Sequence, residues 1–422
     1  MNNKNAQGLH KIRSPLFIAA FALFSNCAYS VDLIGAFELA KNSDPKFQAA
    51  KAEKDANTST SIASRTAYLP GATWNQSQPS VLNYSQKTTV LSQPIFDAAK
   101  GATVAQGGAQ GTYAVANFNN QAIDLASRTM TVVQQIVVST EAIKANDTTI
   151  AALESQYQSA KRKYELGQGT VTDLLDVQVK YEQAKANHLT LKANLKGAQD
   201  QFFGITGNYP TNNDFVLPHK HEDAKIDSLE SILSKVSDEN PAIIAAKANE
   251  QIAKLDIVKA SAAVLPTVSY TWQKISAVNQ PTSNNNGLTV VIPLNAGAYI
   301  NTYTSTAKAR QSSDTRLATE VDTTVKAQNL YAQVEAGFES LKIRNKAVDS
   351  ARLSVTANQK SYEAGVKSTT DVLLSIQSLA QTRNDYAQAA TQQALNLLNL
   401  YLVAAEEPEK AVSQTQAFLF RK

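Results

Sequence analysis

The side chains with the most chemistry to offer lie in two short stretches that repeat each other. The first is Tyr164-Glu-Leu-Gly167-Gln-Gly-Thr-Val-Thr172-Asp173-Leu-Leu-Asp176, and the second, 198 residues later, is Tyr362-Glu-Ala-Gly365-Val-Lys367-Ser-Thr-Thr370-Asp371-Val-Leu-Leu374. Asp173, Asp176, Lys367 and Asp371 admit two readings. As parts of isolated turns, the acids complement the positive end of a helix and the lysine is solvated. Brought together by several copies around an axis, Asp371 becomes a ring of carboxylates. Such a ring attracts cations, and mutual repulsion raises its apparent pKa.

Other chemistry is thinly represented. There is no Gly-x-Ser-x-Gly, no Walker loop and no His-Glu-x-x-His. Gly107-Gly108-x-x-Gly111 falls inside a helical run with no strand before it, so it reads as close helix packing rather than a phosphate cradle. His219-Lys-His221 has two imidazoles but no further His or Cys to complete a metal site, and reads as part of a solvated linker. The sequence calls for no metal, no cofactor and no enzymatic activity.

The elements that must position these stretches are long helices. No proline occurs between Pro94 and Pro210 or between Pro293 and Pro408. Each interval predicts one helix of about 65–70 residues ending at Tyr164 or Tyr362, about 100 Å long, and a return helix of about 35 residues. Gly167 and Gly365 permit the turns between them, and Thr172 or Thr370 with the following Asp is expected to cap the outgoing helix. In the first return helix Leu174, Tyr181, His188, Leu195 and Phe202 recur every seven residues, as do Val177, Ala184, Leu191, Ala198 and Ile205. That is a coiled-coil seam. Helices of this length need other helices as partners.

Upstream of each hairpin the pattern is also duplicated. A helical segment over about Leu33–Thr66, with Asp44-Pro45 as a start signal, ends at Leu69-Pro70; Asn240-Pro241 and Leu265-Pro266 repeat this with the same 25-residue Pro-to-Pro spacing. A β-hairpin follows each. Val268, Tyr270 and Trp272 alternate with polar residues, and a polar loop from Asn279 to Gly287 leads to a return strand over Leu288–Leu294. In the first copy, Ala72–Gln78 and Thr88–Phe96 are the strands. The chain's two tryptophans, Trp74 and Trp272, occupy matching positions. They fit either burial on one sheet face or a membrane-interface belt. Four strands cannot close a barrel alone, so they pack on something or are pooled between subunits.

Residues 1–30 read as a secretory signal, with Lys4, Lys11 and Arg13, an apolar run Leu16–Phe24, and cleavage near Ser30. Its removal takes away three basic and no acidic residues, from +4 to +1, and a near-neutral chain gives no support for nucleic-acid binding. Cys27, the single cysteine, follows Phe24-Ser25-Asn26, a poor lipobox, so the mature chain is expected to have no thiol and no lipid anchor. After the signal no apolar run is long enough for a spanning helix, which leaves a β-barrel as the one way across a membrane. The organisation expected is a signal at 1–30, a first repeat at 31–207, a linker at 208–227, a second repeat at 228–405 and a polar, loosely ordered tail at 406–422.

Together these features, with Gly204-Ile-Thr-Gly-Asn-Tyr209, resemble the TolC family of outer-membrane channel proteins over essentially all of residues 31–405. The resemblance implies a mainly α fold with a small β part. Each chain of a homotrimer gives four strands to a transmembrane β-barrel, and its helical hairpins give an α-barrel across the periplasm of a Gram-negative cell. It implies a passive exit duct of an efflux or type I secretion system, served by a periplasmic adaptor and an inner-membrane pump of ABC, RND or MFS type. It further implies a periplasmic gate in which Tyr362 and Lys367 pair with Asp173 and Thr172 while Asp371 rings the mouth. Two positions depart from the family's best-known member: Lys367 stands where it has arginine, and Leu374 where it has a second aspartate. The rival expectation is a non-pore periplasmic adaptor or surface coiled-coil protein; an adaptor would carry one hairpin flanked by lipoyl-like strands, not two copies.

Overall fold

The computed structural model describes residues 32–78, 85–211, 214–218, 224–293 and 297–420. The signal segment, Ser30, Cys27, His219 and His221 lie outside the described residues.

The described residues begin with two helices, not one. α1 (Leu33–Ser43) and α2 (Pro45–Arg65) break at Asp44, whose carboxylate accepts from the Phe47 N–H at 2.7 Å while Pro45 occupies the first helical position. The second half repeats the device: α5 (Leu229–Glu239) and α6 (Pro241–Ala262) break at Asn240. Strands β1 (Gly71–Ser77) and β2 (Gln86–Phe96) follow α2, and β3 (Thr267–Ala277) and β4 (Ser283–Val291) follow α6. The return strand β4 begins five residues earlier than its alternation suggested. Ser283 to Asn286 pair with Ile275 to Trp272, because the long β3 needs a partner over its outer half.

The long helices match expectation closely. α3 (Ala98–Glu165) has 68 residues and α7 (Gly297–Glu363) has 67; α4 (Val171–Thr206) and α8 (Thr369–Val403) return beside them with 36 and 35. Along α4 the two heptad rows are the least exposed positions, and Val177, Ala198 and Phe202 are fully buried. His188, the polar interruption, places Nδ1 2.9 Å from the Asp147 carboxylate on α3. Of Gly107, Gly108 and Gly111 inside α3, two pack as expected: a Cβ on Gly107 would stand 2.8 Å from the Ser61 carbonyl of α2 and one on Gly111 3.0 Å from the Ser61 hydroxyl, while Gly108 faces open space; the Ser61 hydroxyl donates to the Gly107 carbonyl.

The core is a waist midway along the molecule. There Leu33 and Phe37 of α1, Leu125 and Met130 of α3, Phe202 of α4 and Leu397, Leu398 and Leu400 of α8 are buried together. A half-buried Arg128 binds the waist through Asp44 at 2.6 Å and Asp124 at 2.8 Å; despite desolvation, the guanidinium holds the Asp44 carboxyl below the usual carboxylate range, and Lys46 with Arg128 does the same for Asp124. Two stretches expected to be solvated join this core. Residues 408–420 form α9 (Pro408–Phe420), not a loose tail, and bury Ala411, Val412, Thr415, Phe418 and Leu419. In the linker, Phe215 is buried between Phe202 and Phe420, with ring centroids 5.8 Å from each. Apolar side chains at helical spacing outweighed the polar residues between them.

The sheet is antiparallel in the order β1-β2-β3-β4. Register puts Trp74, Leu91, Tyr270, Trp272, Leu288 and Val290 on one face. The opposite face carries Thr73, Asn75, Thr88, Ser92, Thr271, Gln273, Asn285 and Thr289, and no charge. Trp74 is 61% exposed, so burial within the protomer does not explain it.

Candidate functional site

The candidate site is the pair of hairpin tips at the end far from the sheet. At the first, α3 closes on Leu166, and Gly167 at φ 72° lets the backbone reverse; the Gln168 N–H donates to the Lys163 carbonyl at 2.8 Å. At the second, Gly365 at φ 77° does the same, with the Val366 N–H donating to Ser361 at 2.9 Å. A residue with a Cβ is strained at either position.

The caps lie two residues before the expected threonines. Thr170 caps α4: its hydroxyl accepts from the Asp173 N–H at 3.1 Å and donates to the Asp173 carboxylate at 2.6 Å. Ser368 caps α8 in a reciprocal box, accepting from the Asp371 N–H at 3.2 Å while Asp371 accepts from the Ser368 N–H at 3.0 Å. Thr172 and Thr370 are instead second-position residues of the first turns. The physical reason is the spacing: an acid three residues after the cap returns the hydrogen bond, and only Thr170 and Ser368 stand at that distance.

The expected cross-links are not made within one protomer. Lys367 Nζ lies 3.6 Å from Asp371 in its own turn rather than against Thr172 or Asp173. Asp371 is held below the ordinary carboxylate range by the Ser368 N–H and hydroxyl, with Lys367 adding to the effect. Tyr362 is only 7% exposed and packs with Val372 and Ile376, flanked by Ala152 and Val355. Its ring, not its hydroxyl, makes the charged contact: Lys163 Nζ of α3 stands 3.8 Å from the centroid. Lys163 and Tyr362 thus tie the first hairpin to the second. No local signal announced this, because the partners are separated by almost half the chain.

Between the hairpins runs a groove of about 600 Å³ lined by Asn146 and Leu153 of α3, Asp176 and Val179 of α4, and Thr370, Leu374 and Gln377 of α8. Nearby, the rings of Tyr157 and Tyr181 stack at 6.3 Å.

The family model for outer membrane efflux proteins matches residues 36–208 and 232–406, one copy on each repeat. The chain belongs to that family. It is 23% identical over 410 residues to the outer membrane protein TolC of Salmonella enteritidis, covering 89% of this chain and 82% of the relative. It is 23% identical to the alkaline protease secretion protein AprF of Pseudomonas aeruginosa, covering 90% and 86%. Among solved structures, the CmeC outer membrane channel of Campylobacter jejuni superposes with a TM-score of 0.76 at 13% identity, covering 92% of this chain and 90% of that one. Membership places the protein in the outer membrane, with a helical body extending into the periplasm. Among the described residues no helix is long and apolar enough to cross a membrane.

Proposed function

We propose that three copies of this chain close into a continuous duct that conducts substrate passively from an inner-membrane pump and a periplasmic adaptor to the outside. The observation that carries this is the pair of free edges. The sheet ends on unpaired β1 and β4, and the upper helices run α2-α3-α6-α7 with α2 and α7 outermost. In lipid an open sheet edge is untenable, so β4 must pair with β1 of the next copy. Two copies would give eight strands, whose interior side chains fill; three give twelve and leave a lumen. The polar face without charges suits that lumen, and the face with Trp74 and Trp272 suits lipid and its interface.

The edge helix α7 supports the same closure. Tyr299, Tyr303, Leu317, Val321 and Val325 are exposed along it, and a groove of about 970 Å³ between its first turns and α6 stands open for the neighbouring copy. A non-pore coiled-coil protein would need neither the open strand edges nor the two-faced sheet.

At the far end the tips form the gate, with Tyr362, Lys367, Asp173, Thr172 and Asp371 as its residues and Lys163 added by the contact described above. The groove between Asp176 and Gln377 receives the adaptor. Some relatives carry names of protease secretion and others the name TolC, so the duct serves efflux or type I secretion. The sequence has no Walker loop, so in this reading the pump supplies the energy, and we assign the chain no catalytic role. The test is conductance of the purified protein in a planar bilayer, with and without Asp371→Ala. A small cation-selective current that grows or loses selectivity in the variant supports the duct and its gate. No current from well-folded trimers of either form refutes them.

A further inference from the structure

The four strands contain two charged residues, Lys87 on β2 and Lys274 on β3. Both stand on the face that carries Trp74 and Trp272, not on the polar face. Lys87 pairs with Ser276 and Lys274 with Thr89, so the lysines are diagonal neighbours on adjacent strands. Side chains so placed are about 7–8 Å apart at their bases, within reach of one ligand group. Lys274 is level with Trp74 through Thr89, and Lys87 lies one step further out. Below them the same face carries Leu91, Trp272, Tyr270, Leu288 and Val290, with Asn286 beside Trp272 and Gln93 beside Tyr270.

Their height follows from the topology. All the long helices attach at one end of the sheet, so the β1–β2 and β3–β4 connections mark the outer end. Both lysines sit toward those connections. Both are exposed, and no Asp or Glu occurs between Ala56 and Phe96 or between Ile257 and Ser313 to neutralise them. A cation facing lipid is costly at mid-membrane and nearly free at the interface, so the interface explains why lysines are tolerated there. It does not explain why both signs of charge are absent from the rest of the sheet while two positive charges converge beside an indole.

We propose that Lys87 and Lys274 form a docking site for the phosphate groups of the phosphorylated glycolipid that makes up the outer leaflet, with its acyl chains lying over Leu91, Trp272 and Leu288. The inference rests on the sheet being the membrane segment. The occupant follows from charge complementarity: a lipid anion at headgroup height meets two ammonium groups with no carboxylate among the residues of their own hairpins, above a face on which Leu91, Trp272, Leu288 and Val290 offer apolar contact. In the assembled barrel the site recurs once per protomer.

The test uses full-length trimers in mild detergent, titrated with bisphosphorylated lipid A, with the same lipid after removal of its phosphates, and with phosphatidylglycerol, read by native mass spectrometry. Bisphosphorylated lipid A is expected to bind best. At the interface each cation contributes about a fivefold change, so Lys87→Gln with Lys274→Gln is expected to weaken binding about thirtyfold, and Lys87→Arg with Lys274→Arg to restore it. Equal binding of the phosphate-free lipid by the unaltered protein overturns the proposal without any variant. So does equal binding of phosphatidylglycerol, or undiminished binding by a folded double Gln variant. Flotation with vesicles separates this from failure of the membrane assignment: a protein that floats but shows no phosphate preference refutes the lipid site alone.

Discussion

Replacing Lys163 by Gln should open the duct, and replacing Tyr362 by Phe should not. Lys163 contacts the Tyr362 ring face at 3.8 Å, and the ring is buried while the lysine is half-exposed. A cation over an aromatic face contributes about 0.5–1 kcal/mol at exposed sites and about 2 when desolvated, which puts this contact near 1 kcal/mol. If three protomers open together the losses add to about 3 kcal/mol, or about 150-fold in the closed-to-open ratio, since about 1.4 kcal/mol is tenfold. Phenylalanine keeps the ring and the cation contact, so Tyr362→Phe should change the ratio by only a few-fold. Tyr362→Ala loses packing against Val372 and Ile376 as well and should open further. Single-channel recording in planar bilayers reads each variant. The reasoning is refuted if Tyr362→Phe opens the channel as fully as Tyr362→Ala while Lys163→Gln stays closed. That pattern would return the link to the tyrosine hydroxyl and Asp173.

Two further predictions concern the tip turn and the packing near the sheet. The folded-state pKa of Asp371 lies below its ordinary 3.8, so its capping contribution is complete above that value and is lost as pH falls through the lower folded one. Hydrogen-exchange protection at the start of α8 should therefore stay flat from about pH 8 to about pH 5 and fall only below about pH 4; a fall between pH 7 and 5 would mean that repulsion among neighbouring copies wins. Gly107→Ala should destabilise the protein by about 1–3 kcal/mol, because its Cβ meets backbone at 2.8 Å, whereas Gly108→Ala, with nothing within 4 Å, should be neutral or stabilising by up to about 1 kcal/mol; thermal inactivation of the trimer compares them.

What the sequence disclosed was whatever local chemistry dictates. Proline before a helix, glycine at a left-handed turn and side chains alternating along a strand act within a few residues. Their recurrence at one offset marked the duplication, the hairpins and both long helices. The caps were legible in kind but misplaced by two residues, because Thr170-x-Thr172 offers two hydroxyls and only the returning carboxylate of Asp173 selects between them. The partner of Tyr362 was not legible. Lys163 is one of several basic residues at the end of α3, and the fold alone decides that it covers that ring. Phe418 and Leu419 carried a helical apolar pattern that the glutamines and serine around them obscured.

The distribution of burial supports the proposal that the two ends are the working parts. Along α8, the buried side chains gather toward the waist, where Leu397, Leu398 and Leu400 belong to one core with residues of α1, α5 and α9. Among the strand residues one is buried, Pro94 at the base of β2, with Ile95 and Phe96 exposed beside it, and every residue of β1 is exposed. The tips hold only the small cluster around Tyr362. A protomer so built is rigid at its middle and depends at both ends on something outside itself. In the assembly we propose, that something at the sheet is lipid and the next copy, because unpaired strand edges and an aromatic face have no other stable surroundings in a membrane. With the tips as the proposed gate, the Lys163–Tyr362 contact of about 1 kcal/mol per copy would hold a closed state that a docking adaptor can outweigh with modest differential affinity. A stronger buried core there would make that proposed gate more stable and less able to open.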